Sequence, residues 1–134
     1  MATNKSVEKF RRLTVELQRQ VYLDSVAELE VQSTALMQQI KAVAPTGPTG
    51  NLASSVRKER GKRETVVRVM AGGFLTTRKG GGGQPYDYAR AVEFGTEKVS
   101  AQPFFFPTYR LMKKSMQSAM RRKITKRIKQ YSAE

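Results

Sequence analysis

Between Thr3 and Val43 the chain contains neither proline nor glycine, and its apolar residues return in steps of three and four. Val7, Phe10, Leu13, Leu17, Val21, Leu29, Leu36, Ile40 and Val43 fall on one face of an α-helix at that spacing. A long helix is therefore predicted over residues 1–43, with Ser6 as a partial cap, because Lys9 rather than Glu stands at the reciprocal position. At 1.5 Å per residue such a helix is roughly 60 Å long. A globule of 134 residues cannot cover that length. The stripe is interrupted at Asp24-Ser25, so a break or bend is expected there, with the free part reaching a partner. The segment Ala44-Pro45-Thr46-Gly47-Pro48-Thr49-Gly50-Asn51 stops the helix, since a residue before proline is pushed out of the α region.

The middle of the chain reads differently. Leu52–Glu59 and Glu64–Ala71 are predicted strands joined by a turn at Gly61-Lys62-Arg63, a β-hairpin over 52–71. In the second strand Thr65, Val67, Val69 and Ala71 share one face. Residues 72–85, with Gly72-Gly73 and Gly80-Gly81-Gly82-Gly83, are expected to form a mobile loop that orders on a partner. Arg78 and Lys79 in that loop are candidate partner contacts. Glycines with Lys and Arg also suggest a phosphate cradle, but no Gly-Lys-Ser/Thr follows and no helix opens on the glycines. The stretch 86–106 reads as a short helix Tyr86–Phe94 stopped by Gly95, then a strand at Val99-Ser100-Ala101. Pro107 opens a last helix, 107–131, with the stripe Met112, Met116, Met120, Ile124, Ile128 and Tyr131. The fold class is α+β: a small antiparallel β-sheet flanked by long N-terminal and C-terminal helices in one domain.

Composition removes most chemistry. The chain has no cysteine and no histidine, so thiolate and imidazole catalysis and most zinc or iron sites are absent. Asp87 and Glu93 stand six apart on the short helix and do not lie side by side. The reading is no enzyme, no cofactor and no metal. No apolar run approaches a membrane span and the N-terminus lacks a signal core, so a soluble protein without membrane association is expected.

Charge is the other strong signal, with 25 Lys and Arg against 11 Asp and Glu. Residues 1–44 are near neutral, whereas 107–134 carry nine basic residues and one acidic one, Glu134. Arg121, Arg122, Lys123, Lys126, Arg127 and Lys129 are the densest group, and they point to nucleic acid or an acidic partner. The alternative is that Lys and Arg merely solvate an amphipathic helix, although such faces normally mix signs. No zinc-ligand, basic-zipper or aromatic RNA-binding pattern is present, which leaves backbone contact as the form of nucleic-acid binding.

One corner concentrates apolar mass. Phe104, Phe105 and Phe106 lie between Pro103 and Pro107, and use three of the chain's six phenylalanines. Three adjacent side chains cannot all point one way, so one is expected in the core and a second toward a partner. Glu93, just before Phe94-Gly95-Thr96, is expected to accept hydrogen bonds from turn N–H groups or from an arginine of a neighbour. Pro45-Thr46-Gly47-Pro48-Thr49-Gly50-Asn51-Leu52, then Tyr88-Ala89-Arg90-Ala91-Val92-Glu93-Phe94-Gly95-Thr96, then Ala101-Gln102-Pro103-Phe104-Phe105-Phe106-Pro107 and a closing helix resemble the tail-completion family of long-tailed phages. The blocks stand in that family's order across roughly residues 44–112. The resemblance implies a structural virion protein of the neck, where the tail joins the head, assembled in the host cytoplasm. It implies a ring, of six copies, between the head-closure or connector protein and the tail terminator or tail tube, with possible contact to DNA in the channel. Glu93, Phe94, Thr96, Phe104, Phe105 and Phe106 are then partner-binding candidates. The alternative function is a small basic accessory protein that binds nucleic acid non-specifically.

Overall fold

The computed structural model describes residues 2–133 and shows the α+β class expected. In chain order the elements are α1 (Ala2–Val43), α2 (Asn51–Ser55), β1 (Arg57–Arg60), β2 (Val67–Met70), a 3-10 turn (Phe74–Thr76), β3 (Thr77–Lys79), β4 (Pro85–Asp87), α3 (Tyr88–Phe94) and α4 (Phe106–Ser132). Among the described residues the strands form two separate antiparallel pairs, β1–β2 and β3–β4, rather than one sheet.

Helix α1 runs without interruption through Asp24-Ser25, contrary to the expected break. Both residues are satisfied inside a helix. The Ser25 hydroxyl donates to the Val21 carbonyl at 2.7 Å, and Asp24 is turned toward α4. Ser6 lies within the helix and does not cap it. The far end stops as expected, with the Ala44 N–H closing on the Ile40 carbonyl just before Pro45.

Three other expectations are corrected. Leu52–Glu59 is not one strand, because its buried residues, Leu52, Ser55 and Val56, recur at helical spacing and form the inner face of α2 and its end. Only Arg57–Arg60 continues as β1, paired from Arg57↔Met70 to Arg60↔Val67. Val99–Ala101 is not a strand, since its donors serve a local turn. The Thr96 hydroxyl accepts from Lys98 N–H and Val99 N–H, and Thr96 N–H donates to the Val99 carbonyl. Residues 72–85 are ordered internally: the 3-10 turn leads into the β3–β4 pair, closed by Gly80 N–H on the Gln84 carbonyl at 2.8 Å.

The core is small and sits at one end of α1. Leu36, Ile40 and Ala44 meet Leu52, Val56, Ala89 and Phe104, with Val69, Ala71, Met112 and Met116 packed around them. The β1–β2 hairpin lies along α1. Lys58 reaches Glu30 and Thr34, Arg60 reaches Glu30, and the Tyr22 hydroxyl donates to Glu64 at the hairpin's tip. Helix α4 returns antiparallel to α1, from Phe104 beside Ile40 to Arg127 beside Asp24. Met112, Met116, Met120 and Ile124 form its half-buried face. The Arg127 guanidinium grips Asp24 through two bonds of 2.7 and 3.2 Å and holds that carboxyl below the usual carboxylate range. Helix α4 ends near the level of α1 residue 19, so about 25 Å of α1 extends beyond it. Val7, Phe10 and Val15 are exposed on that extension.

Candidate functional site

The site is built on α3. Asp87 caps the helix, accepting from Ala89 N–H at 2.9 Å, and the same carboxylate accepts from Gly73 N–H at 2.7 Å and from the Thr76 hydroxyl. One side chain thus fixes the helix start and clamps the 3-10 turn beside it. Gly72 is needed there, because at its φ of 99° an added Cβ would lie 2.5 Å from an Asp87 oxygen. Sequence reasoning missed this role of Asp87, although an aspartate immediately before Tyr-Ala-Arg is a helix-start signal.

Burial pushes the Asp87 carboxyl up, but the bonds from Thr76, Gly73 and Ala89, with Arg57 nearby, outweigh it and leave the pKa below 3.8. A carboxyl depressed in the folded state contributes stability that is present above its ordinary pKa and lost as pH falls through the folded value. Acid unfolding followed by circular dichroism is the check. Asp87→Asn is expected to be less stable at neutral pH and to show a shallower further loss below pH 3.8 than the parent protein.

Nearly two turns later Glu93 points inward and is only 7% exposed. One carboxylate oxygen accepts from Phe104 N–H at 2.8 Å and Phe105 N–H at 2.9 Å, and the other from Phe106 N–H at 3.0 Å. These amides lie at the N-terminus of α4, where the unpaired donors and the helix dipole both favour an anion. The expected backbone N–H donors come from the Phe104–Phe106 segment rather than from the Phe94-Gly95-Thr96 turn. Gly95, at φ 77°, lets the chain leave α3 and pass against Ala101, so that Gln102 N–H reaches the Val92 carbonyl at 2.7 Å.

This pin divides the three phenylalanines. Phe104 enters the core at 3% exposure, whereas Phe106 remains 46% exposed and lies 6.0 Å, ring to ring, from Phe94, itself 64% exposed. Phe105 lies between them, edge-on to both neighbours. With Arg90 and Ala71 the three rings and Phe94 line a groove of about 260 Å³. Phe104 and Glu93 are therefore internal, and Phe94 and Phe106 are the members of the set that face outward.

The other candidates separate. The Arg78 guanidinium lies 5.4 Å over the Tyr88 ring and donates to the Leu75 and Thr77 carbonyls. Lys79 is exposed on the hairpin beside it, and the Thr96 side chain serves its own turn. A second groove is lined by Pro45, Pro48, Leu52, Arg78, Tyr88 and Val92, so the first Pro-Thr-Gly block and α3 border the same groove. Arg121, Arg122, Lys123, Lys126 and Lys129 are exposed far along α4, while Arg127 is half-buried on Asp24. Among the described residues no cluster of His, Cys, Asp and Glu is disposed to hold a metal, and no helix is long and apolar enough to cross a membrane. No protein-family model, curated protein or solved structure matches this chain.

Proposed function

We propose that this chain is a structural assembly subunit, a tail-completion or neck component that joins the tail of a long-tailed phage to its head-closure complex. The observation that carries the reading is the meeting of the three sequence blocks at one corner. The Pro-Thr-Gly turn lines a groove with Tyr88 and Val92 of α3, and Glu93 of the second block pins the backbone of Phe104, Phe105 and Phe106 in the third. Such a pin builds no reactive centre. It holds Phe94 and Phe106 rigidly at the surface, and rigid exposed aromatics are what a subunit contact uses.

In this reading the corner docks on a neighbouring copy in a ring, which the resemblance puts at six copies, in the virion neck after assembly in the host cytoplasm. The exposed stripe of α1 beyond α4 supplies a second, longer contact, toward the connector or the tail tube. Mass photometry of the purified protein, alone and with tail and connector components, is the test. A ring, or a complex with those components, formed without nucleic acid supports the proposal. A monomer that ignores every one of them refutes it.

A further inference from the structure

Two stretches of cations follow one another along the helical arm, one on the C-terminal end of α4 and one on the part of α1 that extends beyond it. From α4 come Arg121, Arg122, Lys126 and Lys129, all exposed, within about 12 Å of helix. From α1 come Lys5, Lys9, Arg11, Arg12 and Arg19, also exposed, with only Glu8 and Glu16 among them. Helix α4 has no acidic residue, and among the described residues Arg127 is its one member in an ion pair within the chain. The four outer cations line a single shallow depression with Thr125 and Gln130 on the side turned from the methionine stripe. Holding so many like charges together is unfavourable unless an anion is supplied.

We infer that the C-terminal tip of α4, on its outer face, is a binding surface for the phosphate backbone of duplex nucleic acid. Interfaces with acidic proteins have an apolar centre inside a polar rim, whereas the depression between Arg121 and Lys129 is lined by charged and polar residues and Ala133, with no large apolar side chain. Insertion into a lipid surface needs an apolar face beside the cations, and the outer side of α4 here carries Thr125, Gln130 and Ala133. A phosphate backbone asks for charge alone, repeated at short intervals along a straight element. With no aromatic or carboxamide array beside the cations, recognition is independent of base sequence. The inference rests on the charge of the arm and holds whether or not the protein forms a neck ring.

The test is fluorescence anisotropy of a labelled mixed-sequence duplex with the full chain across a salt series. A quadruple Arg121→Gln, Arg122→Gln, Lys126→Gln, Lys129→Gln variant is compared with a control in which as much charge is removed elsewhere, Lys62→Gln, Arg63→Gln, Arg68→Gln, Lys98→Gln. Every phosphate left without its cation should take about 0.9 from the slope of log affinity against log salt, so the tip variant is expected to be shallower by roughly 3 to 4 and at least ~10-fold weaker at low salt. The control should keep the parent slope, and Arg121→Lys with Arg122→Lys should keep it too, since charge is conserved. Equal weakening in the tip and control variants, with helicity unchanged by circular dichroism, overturns the inference. So does tighter binding to polyglutamate or to phosphatidylcholine–phosphatidylserine vesicles than to the duplex at the same salt. Mass photometry of the same variants reads ring formation separately.

Discussion

Glu93→Ala is expected to lower the stability of the monomer by about 3 kcal/mol, a large share of the total for a domain with so small a core. The destabilisation has three sources. The amides of Phe104, Phe105 and Phe106 lose a charged acceptor inside the fold. Helix α4 loses the anion at its positive end, and α3 is no longer tied to α4. Glu93→Gln should cost less, about 1–2 kcal/mol, because its carbonyl can still take the two bonds at 2.8 and 2.9 Å while its NH₂ faces the third donor. Urea unfolding reads both values. At a slope of roughly 2 kcal/mol per M, the alanine midpoint should fall by about 1.5 M. Hydrogen exchange at the three amides adds a local readout, since all three should exchange faster in the alanine variant. An unchanged midpoint would mean that the carboxylate does not hold the corner together.

Phe104→Ala should be as damaging, by about 3–5 kcal/mol, for a different reason. Its ring is buried against Ile40, Leu52 and Val56, and removing it leaves a cavity that a helix end pinned by Glu93 cannot collapse to fill. Phe94→Ala and Phe106→Ala should leave the monomer within about 1 kcal/mol of the parent, because both rings keep roughly half or more of their surface in water. On assembly the order should reverse. The Phe94 and Phe106 variants are expected to fold and fail to form rings or complexes, as read by unfolding and mass photometry on the same samples. If all of these substitutions simply unfold the protein, the corner is core and nothing more. If the Phe94 and Phe106 variants assemble like the parent, the subunit contact lies elsewhere, and the extended stripe of α1 is next to be tested.

Much of this was legible in the chain itself. The absence of proline and glycine from 3–43, Pro107 in the first turn of α4, and the methionine stripe at i, i+4 are local signals, and local signals fix helices. That the three phenylalanines divide and that Glu93 seeks N–H donors was also readable, because adjacent side chains must diverge and a carboxylate beside a turn seeks donors; that Phe104 is the inner ring and that the Phe104–Phe106 amides are the donors was not. Segment 52–59 misled because Leu52, Ser55 and Val56 sit in a stretch too short for helical and strand periods to be told apart. The 72–85 segment looked mobile because four glycines signal freedom, while the β3–β4 pairing closes the glycine turn and Asp87, fourteen residues from Gly73, holds its start.

What the sequence determined by itself is the set of helices, their apolar faces and the excess of positive charge, since each depends only on residue identity and spacing. What only the tertiary structure decided is which charges meet. Asp24 and Arg127 are 103 residues apart, and their contact ties α4 to the middle of α1 and removes one cation from the basic face. The same antiparallel return of α4 turns its methionine stripe onto α1 and leaves Arg121, Arg122, Lys126 and Lys129 on the outside, and no reading along the chain reveals an orientation set by how two helices pack.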